Sequence, residues 1–263
     1  MRFWLAAASL VAMISAPAAM AAPSEQGERA KPTIVLVHGA FAGSSSWNGV
    51  IADLAKDGYR VIAAANPLRS GKGDGQYVAD LVASVPGAVV LVGHSYGGEV
   101  ISVAAVGRPN VKALVFVAGF APEIGESAAS LGTRFPTGTL GQTLAPPVAL
   151  SDGSSDLYID QARYWKQFAA DVPQADAVDM AASQRPIAQA ALGEPVAALS
   201  WQNVPSWFVW GALDKNIPAA LHAYMAKRAK AREAIEVPGA SHVVMISHPH
   251  QVAAMIGRAA TAR

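Results

Sequence analysis

Ser95 stands at the centre of Gly93-His94-Ser95-Tyr96-Gly97, a G-x-S-x-G run between the apolar stretch Ala88 to Val92 and a helical stretch. A serine on such a strand–turn–helix corner is held where its Oγ can reach an electrophile. Side chains two residues either way would collide with the neighbouring strand and helix, which is the mechanical reason for the flanking glycines. A hydroxyl is a poor nucleophile until a nearby base takes its proton. Of the six histidines, His242 fits best. It follows Pro238-Gly239-Ala240-Ser241 in the loop after the last apolar run, and catalytic groups of a parallel sheet gather at such loops. The His94 side chain is expected to turn away from the corner. His222 falls within a helical stretch, and His248 and His250 flank Pro249 as surface residues.

The imidazole needs a carboxylate to fix its tautomer. Asp214, in Gly211-Ala212-Leu213-Asp214-Lys215-Asn216-Ile217-Pro218, lies after the run Ser206 to Trp210 and is the first choice. Glu123, after Val111 to Val117, is the rival, and a helix N-cap is the ordinary structural use of such an Asp. Acyl chemistry also requires donors for an oxyanion. The backbone N–H groups of Tyr96 and Ala40 are the candidates, the second from His38-Gly39-Ala40-Phe41, with Phe41 lining the pocket and His38 bracing the loop.

These residues must be carried by an alternation of strands and helices. Strands are read at Thr33 to Val37, Arg60 to Ala64, Ala88 to Val92, Val111 to Val117, Ser206 to Trp210 and Ala234 to Val237. Helices are read at Trp47 to Lys56, Gln76 to Val85, Glu99 to Val106, Pro218 to Lys230 and Pro249 to Ala260. That alternation predicts an α/β fold with a mostly parallel sheet of about six strands and helices on both faces. The pattern breaks between about residues 120 and 200, where an insertion of this length predicts a helical cap or lid. Tyr158, Tyr164, Trp165 and Phe168 within it would line an apolar pocket or form the cap's own packing. Gly71-Lys72-Gly73-Asp74-Gly75 lacks the spacing of a phosphate loop and reads as a flexible turn.

The chain has 263 residues, 52% hydrophobic and 15% charged, with a net charge of +1 and no cysteine. A near-neutral balance argues against nucleic-acid binding, and the absence of Cys excludes disulfides and thiolate chemistry. Met1 to Ala21, with Arg2, an apolar run and Ala19-Met20-Ala21, reads as a signal peptide. A single domain would then span residues 22–263, exported to the periplasm or medium, with no membrane association once the leader is cleaved.

Taken together, His38-Gly39-Ala40, Trp47, Gly93 to Gly98, Gly211 to Pro218 and Gly239 to His242 resemble the α/β-hydrolase superfamily over essentially the whole mature chain. More narrowly the chain is similar to bacterial esterase-like relatives of the plant methylesterase and hydroxynitrile lyase branch. The resemblance implies cofactor-free hydrolysis of small carboxylic esters, with no metal. It implies Ser95 as nucleophile, His242 as base, Asp214 as its partner, and Ala40 and Tyr96 as oxyanion donors. The lyases of that branch carry Thr where this chain has Gly39 and Lys where it has Val243, so hydrolysis is preferred. A perhydrolase or lyase on the same triad, a silent ligand-binding protein, and a metal hydrolase built on His242, His248 and His250 are the alternatives.

Overall fold

The computed structural model describes residues 30–135 and 137–262; the leader read in Met1 to Ala21 lies outside them. Six strands form one parallel sheet: β1 (Thr33–Val37), β2 (Val61–Ala64), β3 (Val89–His94), β4 (Val111–Val117), and two that follow the insertion. The insertion contains α4 (Ala128–Arg134), β5 (Val148–Ala149), β6 (Ser155–Leu157), α5 (Gln161–Phe168), α6 (Gln174–Ala182), β7 (Ile187–Ala188) and α7 (Gln189–Gly193). After it come β8 (Ser206–Gly211) and β9 (Glu233–Val237), and the large sheet runs in the order β2-β1-β3-β4-β8-β9.

Every residue of β1 and β3 is buried. Continuous β-branched runs without alternation are what a parallel strand covered on both faces demands. Two helix groups supply the cover. The first is α1 (Asn48–Lys56) packed on α10 (Pro249–Thr261), with α10 lying on β3, β4 and β8. The second is α2 (Gly71–Ala83) packed on α3 (Tyr96–Ala104), with α3 lying on β1, β3 and β4. Two more α-helices, α8 (Ala219–Arg228) and α9 (Val244–Ser247), and two short 3-10 helices, Ser44–Trp47 and Leu140–Thr143, complete the described elements.

Two sequence expectations require correction. The run Gly71 to Gly75 is the first turn of α2 and not a flexible turn. Ser70 caps it, its Oγ accepting from the Gly73 N–H at 2.9 Å, and a capped end with Asp74 in the first turn outweighs the glycines' poor propensity. The insertion, in turn, is not purely helical. It holds a three-stranded antiparallel sheet, β5-β6-β7, whose two- and three-residue strands are too short for a period-2 signal.

The contact that fixes α3 is backbone against backbone. A Cβ on Gly97 would lie 2.4 Å from the Val37 carbonyl oxygen, and one on Gly93 would lie 2.3 Å from the Gly97 oxygen. Real side chains cannot be accommodated at those separations, so the collision expected from the sequence is present on both sides of Ser95.

Behind this corner, α3 carries Glu99, fully buried, with Oε2 accepting from the Ala128 N–H at 3.0 Å and Oε1 buried without a partner. Burial pushes its carboxyl up to about 8, the charges of Glu194 and Asp74 adding to the rise against the pull of the Ala128 N–H. The folded protein therefore holds a proton that the unfolded chain sheds near 4.5, so this group makes stability fall as pH rises between about 4.5 and 8.

Two outcomes are expected. Gly97→Ala should destabilise by about 1–3 kcal/mol through overpacking against β1, read by denaturant titration. Glu99→Gln should gain stability relative to the native protein progressively from pH 4.5 to 8, reaching a plateau on the order of a few kcal/mol. Melting temperatures across that range check it, and a gap independent of pH would show that Glu99 is not the titrating group.

Candidate active site

Strand order reverses at β1 and β3, since the chain moves from β1 to β2 on one side and then crosses to β3 on the other. Loops at the C-terminal ends of strands on either side of such a switch open a crevice. The loop after β1 carries Gly39 and Ala40, and the turn after β3 carries Ser95. A Cβ on Gly39 would sit 2.6 Å from the Ser95 Cβ, so the two loops are in direct contact.

Ser95 has φ 54° and ψ −125°, a conformation that costs a non-glycine residue about 1–3 kcal/mol. Its backbone is over-determined. The N–H donates to the Val117 and Ala118 carbonyls at 3.3 and 3.1 Å, and the carbonyl accepts from the Gly98 and Phe120 N–H groups at 3.0 Å each. Tyr96 is pinned at the other end of its side chain, the hydroxyl donating to Asp74 Oδ2 at 2.9 Å. Asp74 in turn accepts from the Arg69 N–H at 3.1 Å through both oxygens. Among the described residues no hydrogen bond is formed by the N–H of Ala40 or of Tyr96, which leaves both donors free for an oxyanion.

Asp214 is buried in the loop after β8 with all four of its acceptor directions filled. Oδ1 accepts from the Asn216 and Ile217 N–H groups at 2.8 and 3.0 Å. Oδ2 accepts from His242 Nδ1 at 2.7 Å and from His222 Nε2 at 3.1 Å. Each imidazole is the donor, because a carboxylate can only accept. Burial alone would raise the Asp214 carboxyl, but the two imidazoles outweigh it and hold it well below the usual carboxylate range. The N-cap alternative for Asp214 does not hold, since Pro218 occupies that position of α8. Glu123 is set apart from this cluster, half exposed and 3.8 Å from Arg228.

His242, with Nδ1 committed to Asp214, presents a buried Nε2 that has no hydrogen-bond partner. His94, one residue before Ser95, turns its ring to this loop, 4.8 Å from the His242 ring, and donates from Nε2 to the His242 carbonyl at 3.1 Å. Burial lowers the His94 imidazole well below its ordinary value, so it stays neutral and serves as a strut. Phe168 of α5 packs against both rings, at 5.0 Å from His242 and 6.3 Å from His94.

His38 braces the β1 loop, as its sequence position suggested. Its Nδ1–H donates to the Gly39 carbonyl at 2.9 Å, and its Nε2 lies 3.3 Å from Arg185 Nη1. Burial, with the Arg185 charge adding to it, lowers its pKa to about 4, so the ring remains a neutral acceptor. Phe41, at φ 60°, donates its N–H to the Arg185 carbonyl at 2.9 Å and accepts from the Tyr164 hydroxyl at 2.9 Å. It lines a cavity of about 510 Å³ with Tyr164, Val172, Met180, Arg185 and Ile246. Tyr164 and Phe168 are fully buried and in contact at 5.0 Å, which favours the packing reading of that aromatic set.

The structure thus joins Asp214 to His242, and the Gly39 loop to Ser95, while His94 links Ser95 to His242. Two participants escape a reading of sequence alone. His222 meets Asp214 only through the packing of α8 beside β8, and Asp74 holds Tyr96 from a segment that looks like a turn. His248 and His250 pair with Asp171 and Asp53 respectively. Among the described residues no group of three or more His, Asp and Glu is placed to hold a metal ion, and no helix is long and apolar enough to cross a membrane.

Comparison with known proteins agrees with this architecture. The sequence profile described as "Alpha/beta hydrolase family" matches residues 34–255. The pimeloyl-[acyl-carrier protein] methyl ester esterase of Aeromonas salmonicida is 27% identical over 84% of this chain and 92% of that one. The carbendazim hydrolyzing esterase of a Nocardioides species is 34% identical over 37% of this chain and 46% of that one. Among solved structures, polyneuridine aldehyde esterase superposes with a TM-score of 0.74 at 19% identity, covering 85% of this chain and 97% of that one. An extracellular alpha/beta-hydrolase from a Paenibacillus species superposes at 0.73 with 20% identity, covering 88% and 100%. The family match spans nearly the whole described fold, and the chain belongs to the alpha/beta hydrolase family.

Proposed function

We propose that the protein is a serine hydrolase of small carboxylic esters, acting through Ser95, His242 and Asp214 and an acyl-enzyme. The observation that carries this reading is the buried Asp214–His242 pair at 2.7 Å whose outer nitrogen, His242 Nε2, has no partner. A buried acceptor lacking a donor is costly, and a hydroxyl proton arriving from Ser95 satisfies it.

In the first half-reaction the Ser95 Oγ proton passes to His242 Nε2 as Oγ bonds to the ester carbonyl carbon. The carbonyl π electrons move onto oxygen, where the Ala40 and Tyr96 N–H groups stabilise the charge. The intermediate then collapses, the carbon–oxygen bond to the alcohol breaks, and His242 returns the proton to that oxygen. Water repeats the sequence, losing a proton to His242 and releasing the acid from Ser95. Asp214 remains ionised throughout, because four donors already occupy it.

The names of relatives support ester chemistry, and Gly39 weighs against the lyase alternative. A side chain there would meet Ser95 Cβ at 2.6 Å and the His94 carbonyl at 2.7 Å, so the Thr of the lyases has no room in this backbone. Perhydrolysis would use the same groups and is separated by its products. The leader in Met1 to Ala21 adds export from the cytoplasm to this proposal.

The test is turnover of p-nitrophenyl esters from acetate to palmitate beside fluorophosphonate labelling. Ser95→Ala is expected to abolish both, with a fall in turnover of at least about 10³-fold. Retained turnover in that variant would remove the serine mechanism, and absence of turnover and label in the native protein would favour a binding role. Protein recovered from the periplasm or medium is expected to begin at Ala22 by N-terminal mass spectrometry; an intact Met1 would refute export by cleavage.

A further inference from the structure

Asp214 Oδ2 is shared. It accepts His242 Nδ1–H at 2.7 Å and His222 Nε2–H at 3.1 Å, and all three side chains are buried. His222 sits in the first turn of α8, its ring stacked on Trp210 of β8 at 5.6 Å and 22°. Its titratable and charged neighbours are Asp214, His242 and Glu236, the last also accepting from Trp210 Nε1 at 3.2 Å.

From this geometry we infer that His222 is a positioning residue of the proposed triad, a neutral second donor that fixes Asp214 Oδ2 and limits how strongly it holds the imidazolium formed on His242. The inference rests on the serine-hydrolase reading above and adds a fourth member to it.

A carboxylate held on one oxygen by two backbone N–H groups can still pivot, and a donor on Oδ2 from a second direction removes that freedom. Stacking on Trp210 makes the donor itself rigid. One carboxylate beside two imidazolium ions would leave a buried net positive charge, so His222 has to stay neutral while His242 accepts the serine proton. Burial lowers the His222 imidazole below its ordinary value, with the His242 charge acting in the same direction against the pull of Asp214. A neutral donor spreads part of the Asp214 charge onto itself. Removing it therefore leaves Oδ2 to His242 alone, and the imidazolium persists to higher pH.

The experiment compares kcat/KM against pH for the native enzyme, His222→Phe and His222→Gln with p-nitrophenyl acetate. His222→Phe preserves the stack and removes the donor. Its acid limb is expected to move up by about half to one pH unit, with kcat reduced and KM little changed. His222→Gln, whose amide N–H occupies nearly the place of Nε2–H, is expected to keep the native limb. An unchanged limb in His222→Phe would reduce His222 to a filler of space.

A second measurement needs neither turnover nor a folded Phe variant. In proton NMR of the native protein, two downfield imidazole N–H resonances are expected, and Asp214→Asn should move both. Movement of the His242 signal alone would overturn the inference. If Ser95→Ala retains turnover, the serine mechanism fails, and the NMR result still decides whether His222 holds Asp214.

Discussion

Two stretches of main chain approach closer at the Ser95 corner than any pair of side-chain-bearing residues could. With Gly97 against the Val37 carbonyl and Gly93 against Gly97, α3 lies directly on the ends of β1 and β3. Four backbone hydrogen bonds then hold Ser95 in a conformation it would not adopt alone. The cost of a strained serine is offset by a corner that has no room to relax. Because α3 starts here, its first N–H groups point toward the same region, and the helix dipole favours negative charge there.

The consequences extend behind the helix. Setting α3 so close to the sheet places Glu99 in the interior, where it meets the Ala128 N–H at the start of α4. Tyr96, on the same turn, reaches Asp74 at the start of α2. The free N–H of Tyr96 is thus fixed at both ends, by the Ser95 backbone and by a buried carboxylate. The loop bearing Asp214 follows the same logic, with Asn216 and Ile217 N–H groups on one oxygen and imidazoles on the other. In both places rigidity comes from saturating a buried acceptor.

How much of this could be read from the sequence depended on whether the signal was local. Ser95, Asp214 and His242 each follow an apolar strand within a few residues and sit beside glycine, so chain context alone marks them. The large-sheet strands are legible as short apolar runs bounded by turn residues, most plainly in β1 and β3, whereas β9 carries two glutamates and gives a weaker signal. His222 carries no such mark. It lies eight residues beyond Asp214, and only the turn at Pro218 and the packing of α8 bring the two together. The function of Asp74 was hidden by the glycines around it, and β5 to β7 by their length. Glu99 enters the sequence reading only as the start of a helical stretch, and its partner Ala128 comes from the insertion, whose path no periodicity foretells.

Helix α5 has a bearing on how this protein can change over generations. Tyr164, Gln167 and Phe168 share one face of it at helical spacing. Tyr164 reaches the Phe41 carbonyl, Gln167 donates to Asn216 Oδ1 at 2.7 Å and to the Lys215 carbonyl at 3.2 Å, and Phe168 packs on His242. That face answers to the loops after β1, β8 and β9 simultaneously. Side-chain change is expected to be tolerated best at the exposed outward positions Gln161, Ala162 and Lys166, whereas Arg163, also exposed, is tied to the Gln142 carbonyl. The insertion can diversify its rim while one helical face is held under the same selection as the sheet's own loops.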